Sequence, residues 1–190
     1  MRSRFKVAGH PLHPVLVVFP LGLYPIALVC DIIFLAVYFI GGTIDGFWWR
    51  MAFWALIFGA IGTLMAALPG FIDWLNIPGD APAKLPATWH MIVGGFFVVL
   101  LTLGSIALRA VNNWGEAPAK LDFGPDTSVY YIAIALNLFM NLVLAFQGWL
   151  GGELVYRHGL GVESSDKIDP ITTVVNAEAR SEPGSSGARG

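Results

Sequence analysis

Residues 7–30, VAGHPLHPVLVVFPLGLYPIALVC, run for 24 positions without an Asp, Glu, Lys or Arg. Three further stretches do the same: 51–72, 85–108 and 127–152. A helix needs about 20 apolar residues to cross a hydrocarbon layer of ~30 Å, so each stretch is long enough to cross once. The rest of the composition agrees. Of 190 residues, 56% are hydrophobic and 13% charged, about half the charge a soluble domain carries. That shortage excludes an ordinary water-soluble globule and a chain that is disordered throughout. Eleven Lys+Arg against thirteen Asp+Glu leave a net charge of −2, with no basic stripe to hold a nucleic acid. The single cysteine, Cys30, excludes a disulfide framework and a thiolate zinc site.

The expected fold is all-α: a polytopic membrane protein whose four helices run up-down-up-down. Spans are expected at about 14–40, 48–76, 88–112 and 128–156, within a transmembrane domain of residues 1–162. The connections Gly41–Phe47, Ile77–Ala87 and Asn113–Thr127 are short and rich in Gly, Pro and Asp, so consecutive helices are antiparallel neighbours. Residues 163–190 are polar, rich in Ser and Gly and without periodicity, and are expected to form a disordered tail. Pro14 suits the first turn of its helix, and Pro20 and Pro25 are expected to kink it. Arg2, Arg4 and Lys6 precede an apolar stretch too long for a signal peptide, so the first helix is expected to be retained. Four spans put both termini and the second loop on one face, face A. It carries Arg2, Arg4, Lys6, Lys84, Arg157 and Lys167, against Arg50, Arg109 and Lys120 on face B, which predicts a cytoplasmic face A. Tryptophans 48, 49, 74, 89, 114 and 149 fall near span ends, as an interfacial belt places them.

All four histidines, His10, His13, His90 and His158, have face A addresses. Asp73 closes the second span at that level and Glu153 lies about a turn inside His158. Imidazoles gathered there would suit a transition metal, or a haem b held by two axial ligands between helices. His90 and His158 are the favoured ligands, with His13 or His10 as competitors or second-site ligands. Asp73 and Glu153 would orient imidazoles through N–H hydrogen bonds. Both His10 and His13 precede proline, so Gly9–Pro14, GHPLHP, is expected to be an extended strap. Gly94, Gly95, Gly148, Gly151 and Gly152 would leave room for a macrocycle. The alternative is that the histidines are interfacial polar groups at a proline-rich helix start, and that Gly148 and Gly152 serve close helix packing.

Deeper polar residues are few. Asp31 falls roughly 25 Å into the first span at 1.5 Å per residue, and an ionisable residue there needs a partner. Arg50 is the nearest obvious cation and Arg109 the next. Asn137 and Asn141 share one face of the fourth span, with Gln147 beyond them. They would bond neighbouring helices, or line a proton path from Asp31 toward Glu153. No phosphate loop, dinucleotide glycine fingerprint, nucleophile elbow or HExxH pair is present in the sequence, so nothing commits the chain to soluble-enzyme chemistry.

The stretches GHPLHPVLVVFPLGLY, PGFIDWLNIP, the WH of the third span and GWLGGELVYRHGLGV together resemble the domain of unknown function 2231 family. The resemblance covers about residues 8–162 and implies a small bacterial four-helix protein of the inner (plasma) membrane. Some relatives carry a Rieske iron–sulfur domain after the last helix, which implies membrane redox chemistry. The matching positions here would be His10, His13, Asp73, His90, Glu153 and His158. With no Rieske domain in this sequence, the electron partner would be another protein or a quinone. The leading expectation is therefore an integral membrane redox subunit binding haem b or another metal at its face A histidines. The alternatives are a non-enzymatic scaffold or assembly protein, and a metal-ion or proton transporter, which a lone four-span chain is not expected to be unless it forms a homo-oligomer.

Overall fold

The computed structural model describes residues 6–111, 116–121 and 125–161. The expected tail and parts of the third connection lie outside them. Two short antiparallel strands, β1 (Lys6–Val7) and β2 (His10–Pro11), open the fold. Four long helices follow: α1 (Leu12–Gly41), α2 (Gly46–Leu75), α3 (Lys84–Val111) and α4 (Pro125–Tyr156). Each is long and apolar enough to cross a membrane, and the most apolar window of each is only 17–39% buried inside the bundle. Most of that apolar surface therefore faces outward, as a protein solvated by lipid requires. α1 packs chiefly on α2 and α3 on α4, and α4 closes back onto α1.

The local chemistry explains where the helices stop. Gly42 caps α1 in the left-handed region, at φ 66°, and donates its N–H to the Tyr38 carbonyl at 2.9 Å, a conformation that glycine adopts without a Cβ penalty. Asp45 then caps α2 by accepting the Phe47 N–H at 3.0 Å. On face A, Lys84 donates to the Trp74 carbonyl at 2.8 Å and lies over the Trp74 ring. Trp74 Nε1 donates to Thr88 at 3.0 Å, so the ends of α2 and α3 are clasped to each other across the second connection.

The prolines act differently from the simple expectation. α1 is interrupted once, at Val17, where Pro20 has no N–H to offer the Leu16 carbonyl. The helix then continues through Pro25. The expected extended strap forms only at its start: His10 is in β2, but His13 and Pro14 lie within the first turn of α1. A first-turn proline removes an N–H that has no helical partner in any case, which offsets the extended preference it imposes on the preceding residue. The core has three layers. Ile77, Ala83, Ala87 and Leu154 pack near face A. Tyr24, Leu56, Val98 and Met140 lie in the middle layer, and Phe34, Trp49, Leu121 and Ala133 near face B.

Candidate functional site

Near face A the first turn of α1 delivers His13 onto α2. Its Nδ1 donates to the Ala66 carbonyl at 2.7 Å. Gly70 of α2 leaves room for the ring, since a Cβ there would lie 2.8 Å from His13 Nδ1. The other wall is His90 of α3, whose ring centroid is 6.1 Å from that of His13 with the planes 85° apart. His90 Nε2 lies 3.1 Å from Gln147 Nε2 of α4. The amide nitrogen can only donate, so His90 accepts there and carries its proton on Nδ1. His90 Nδ1 and Gln147 Oε1 are buried atoms with no hydrogen-bond partner among the described residues. Three residues beyond His90, α3 widens into a π-helical turn, Val93–Val98, a distortion that recurs at functional sites.

This pairing revises the expected cluster. Among the described residues no three of His, Cys, Asp and Glu come together as a metal-binding group. His90 meets His13 rather than His158. His10, exposed on β2, and His158, just beyond α4, form no hydrogen bond or ring contact with either of them among the described residues. Glu153 is ion-paired with Arg157, four residues on, so its carboxylate is held at the exposed helix end. Asp73 lies one turn beyond Gly70, at the face A end of α2. The glycines also have different duties. Gly94 leaves room for Gln147, and a Cβ at Gly151 would stand 3.2 Å from His90 Cε1. A Cβ added at Gly148 or Gly95 would meet nothing within 4 Å beyond its own stretch of helix, and at Gly152 only Tyr156 of the same helix. Close packing inside this chain therefore does not explain Gly148 or Gly152.

A second polar assembly occupies the middle and face B half of the bundle. Tyr24 is fully buried. Thr63 directs its hydroxyl proton to the Gly59 carbonyl at 2.9 Å, so Tyr24 donates to Thr63 at 2.8 Å. Asn141 Nδ2 reaches the Tyr24 carbonyl at 3.3 Å and Asn137 Oδ1 at 3.1 Å. Asn137 Nδ2 donates to Asp31 Oδ2 at 2.7 Å, and Arg109 Nη2 donates to the same oxygen at 2.7 Å. Arg109 also points Nε at Ser105, 3.4 Å away, and its guanidinium lies 4.0 Å over the Trp49 ring. Asp31, Asn137, Ser105, Arg109 and Trp49 all have zero exposure.

The partner of Asp31 is thus Arg109 and not Arg50. Successive helical residues differ by about 100° in direction, so the turn of α2 that buries Trp49 turns Arg50 outward. Sequence reasoning found Asp31, Asn137 and Asn141 but not the stripe that receives them. Thr102, Ser105 and Arg109 recur at helical spacing on α3 and are all fully buried. That periodicity was the available signal, because a polar stripe in a membrane helix faces its neighbours.

A family model described as "Predicted membrane protein (DUF2231)" matches residues 9–164, well over half of the chain, and the chain belongs to that family. No curated protein and no solved structure matches it.

Proposed function

From membership in that family, which specifies a membrane protein and leaves its chemistry open, we propose that the bundle conducts protons. They exchange at the His13–His90 pair near face A and at Asp31 toward face B. The observation that carries this reading is the hydrogen-bonded thread from Tyr24 through Asn141 and Asn137 to Asp31 and Arg109. It draws on α1, α3 and α4 in the buried interior of the bundle. Polar and ionisable groups are expensive at such depth and mark pathways when they persist. The imidazole pair lies close to the thread: Ala66, which holds His13, is three residues from Thr63, about 4.5 Å along α2.

The groups suit the task. A neutral imidazole gains a proton on one nitrogen and releases one from the other. Asp31 Oδ2 already accepts two hydrogen bonds, so Oδ1 is the oxygen that takes the proton. The amides of Asn137 and Asn141 hold the carboxylate and the Tyr24 backbone in register. The test is proton flux into liposomes containing the purified protein, driven by an imposed potential and read with an internal pH dye. Asp31→Asn and His90→Ala should each lower the flux roughly a hundredfold, the scale of a positioned proton-transfer group. Asp31→Glu, which retains a carboxylate, should keep much of it. Wild-type flux no faster than in protein-free liposomes overturns the reading and leaves a scaffold.

A second reading, a metal-dependent redox subunit serving a protein or quinone partner, is favoured by one observation. The two imidazoles meet edge to face at 6.1 Å, and His90 Nδ1 makes no hydrogen bond among the described residues. Two imidazoles suit a single copper or zinc ion. They suit haem b less well, because Gly70, Gly151 and Gln147 press against the rings where a macrocycle would lie. Elemental analysis should then find one metal per chain, lost in both His13→Ala and His90→Ala. A metal-free protein without a Soret band removes this reading.

A further inference from the structure

Three fully buried polar atoms around the Asp31–Arg109 pair have no hydrogen-bond partner among the described residues: Asp31 Oδ1, Arg109 Nη1 and Trp49 Nε1. They belong to one contact set, since Arg109 bonds Asp31 and stacks on Trp49. Their unmet capacity is lopsided. A guanidinium nitrogen and an indole nitrogen are donors only, so the N–H hydrogens outnumber the single carboxylate oxygen. Phe34, Leu121 and Ala133 form the buried part of the surrounding layer, and the hydroxyls of Tyr38 and Tyr131 in it are turned to the Leu121 carbonyl. Such a donor-rich cluster recognises an acceptor, and one small enough for a site with no exposure.

We propose that Arg109 and Trp49 bind a monovalent anion of halide size, and that it binds together with a proton on Asp31. The inference rests on the proton-conducting reading for the route by which that proton arrives. Charge balance dictates the coupling. With Asp31 ionised, the pair is neutral; an anion alone would leave one net negative charge beside a carboxylate, and a proton alone one net positive charge. Both are costly inside a membrane. Proton and anion together restore neutrality: Asp31 Oδ1 gains an O–H, Oδ2 keeps its hydrogen bonds, and the anion accepts from Arg109 Nη1 and Trp49 Nε1. Each ligand therefore raises the affinity of the other by the same factor. Among the described residues, no further charged side chain bonds Asp31 or Arg109 to supply this balance. Cys30 is the neighbour of Asp31 on α1, Tyr38 of α1 shares the layer, Tyr130 of α4 lies 5.2 Å from Trp49 with the ring planes 59° apart, and α2 contributes Trp49, which does not titrate. Arg109 of α3 stays charged throughout.

The test is calorimetric titration of the full chain in detergent with sodium chloride, with gluconate as the bulky control. Buffers of different ionisation enthalpy count the protons exchanged. One proton should be taken up per chloride, with affinity falling about tenfold for each pH unit above the range where Asp31 protonates. Trp49→Phe keeps the stacked ring but loses the donor and should weaken chloride binding. Asp31→Asn imitates the protonated carboxyl, so it should bind chloride without proton uptake, and chloride but not gluconate should raise its melting temperature. No chloride binding, binding without proton uptake in the wild type, or binding that neither substitution changes would each overturn the proposal. Absence of proton flux in liposomes with this binding intact would instead count against the conducting reading alone.

Discussion

Asp31→Leu should destabilise the bundle by about 3–5 kcal/mol, the cost of stranding a buried charge whose partner has been removed. The remaining Arg109 cannot deprotonate, and it has zero exposure, two residues from the end of α3. Arg109→Met should cost less, because an unpaired Asp31 can take up a proton and become neutral. The double variant Asp31→Leu, Arg109→Met should recover most of the loss, since an apolar pair of similar volume replaces an ion pair with little net change. Reversible unfolding in chloride-free mixed micelles measures all three. Three losses that simply add would show that the 2.7 Å pair carries no coupling, and would sink the assignment.

The second large contrast is between two glycines. Gly59→Ala places a methyl group against the Tyr24 ring, 2.7 Å from Cδ1 and 3.2 Å from Cζ. Tyr24 has zero exposure and its hydroxyl is held by Thr63, so the ring has little space to retreat. Alanine gains roughly 1 kcal/mol over glycine in a helix interior, whereas overpacking costs about 1–3 kcal/mol. With the Tyr24–Thr63 bond also strained, the expected result is a net loss of about 1–2 kcal/mol. At Gly148 a Cβ meets nothing within 4 Å, so only the helix term remains, and Gly148→Ala should stabilise by about 0.5–1 kcal/mol. The same unfolding assay decides. Substitutions that move stability in the same direction would contradict the packing described for Tyr24.

Much of the architecture is legible in the sequence. Four charge-free runs mark four helices because a charged side chain in hydrocarbon costs several kcal/mol and a bare backbone must bond within its own segment. Gly42 and Asp45 likewise mark their helix ends through chemistry confined to a few neighbouring residues. The local rules misled where two acted on one residue. The pre-proline preference of His13 pointed to an extended strap, and the tolerance of prolines in a first helical turn prevailed.

The candidate sites were legible as an inventory and not as pairings. Histidines at one level suggested a common cluster, yet depth is one coordinate only. His13 and His90 meet because Gly70 leaves room on α2 and Gly151 leaves room on α4. His158 shares their level without sharing their contacts. In the same way Arg50 is nearer than Arg109 to a membrane-end partner by simple counting, but only the direction in which each side chain leaves its helix tells them apart. The sequence by itself determined how many times the chain crosses and how deep each polar group sits, since both follow from hydrophobic length and rise per residue. Only the tertiary structure decided which groups face each other, because that depends on the rotation of every helix about its own axis, and rotation is set by the packing of all four together.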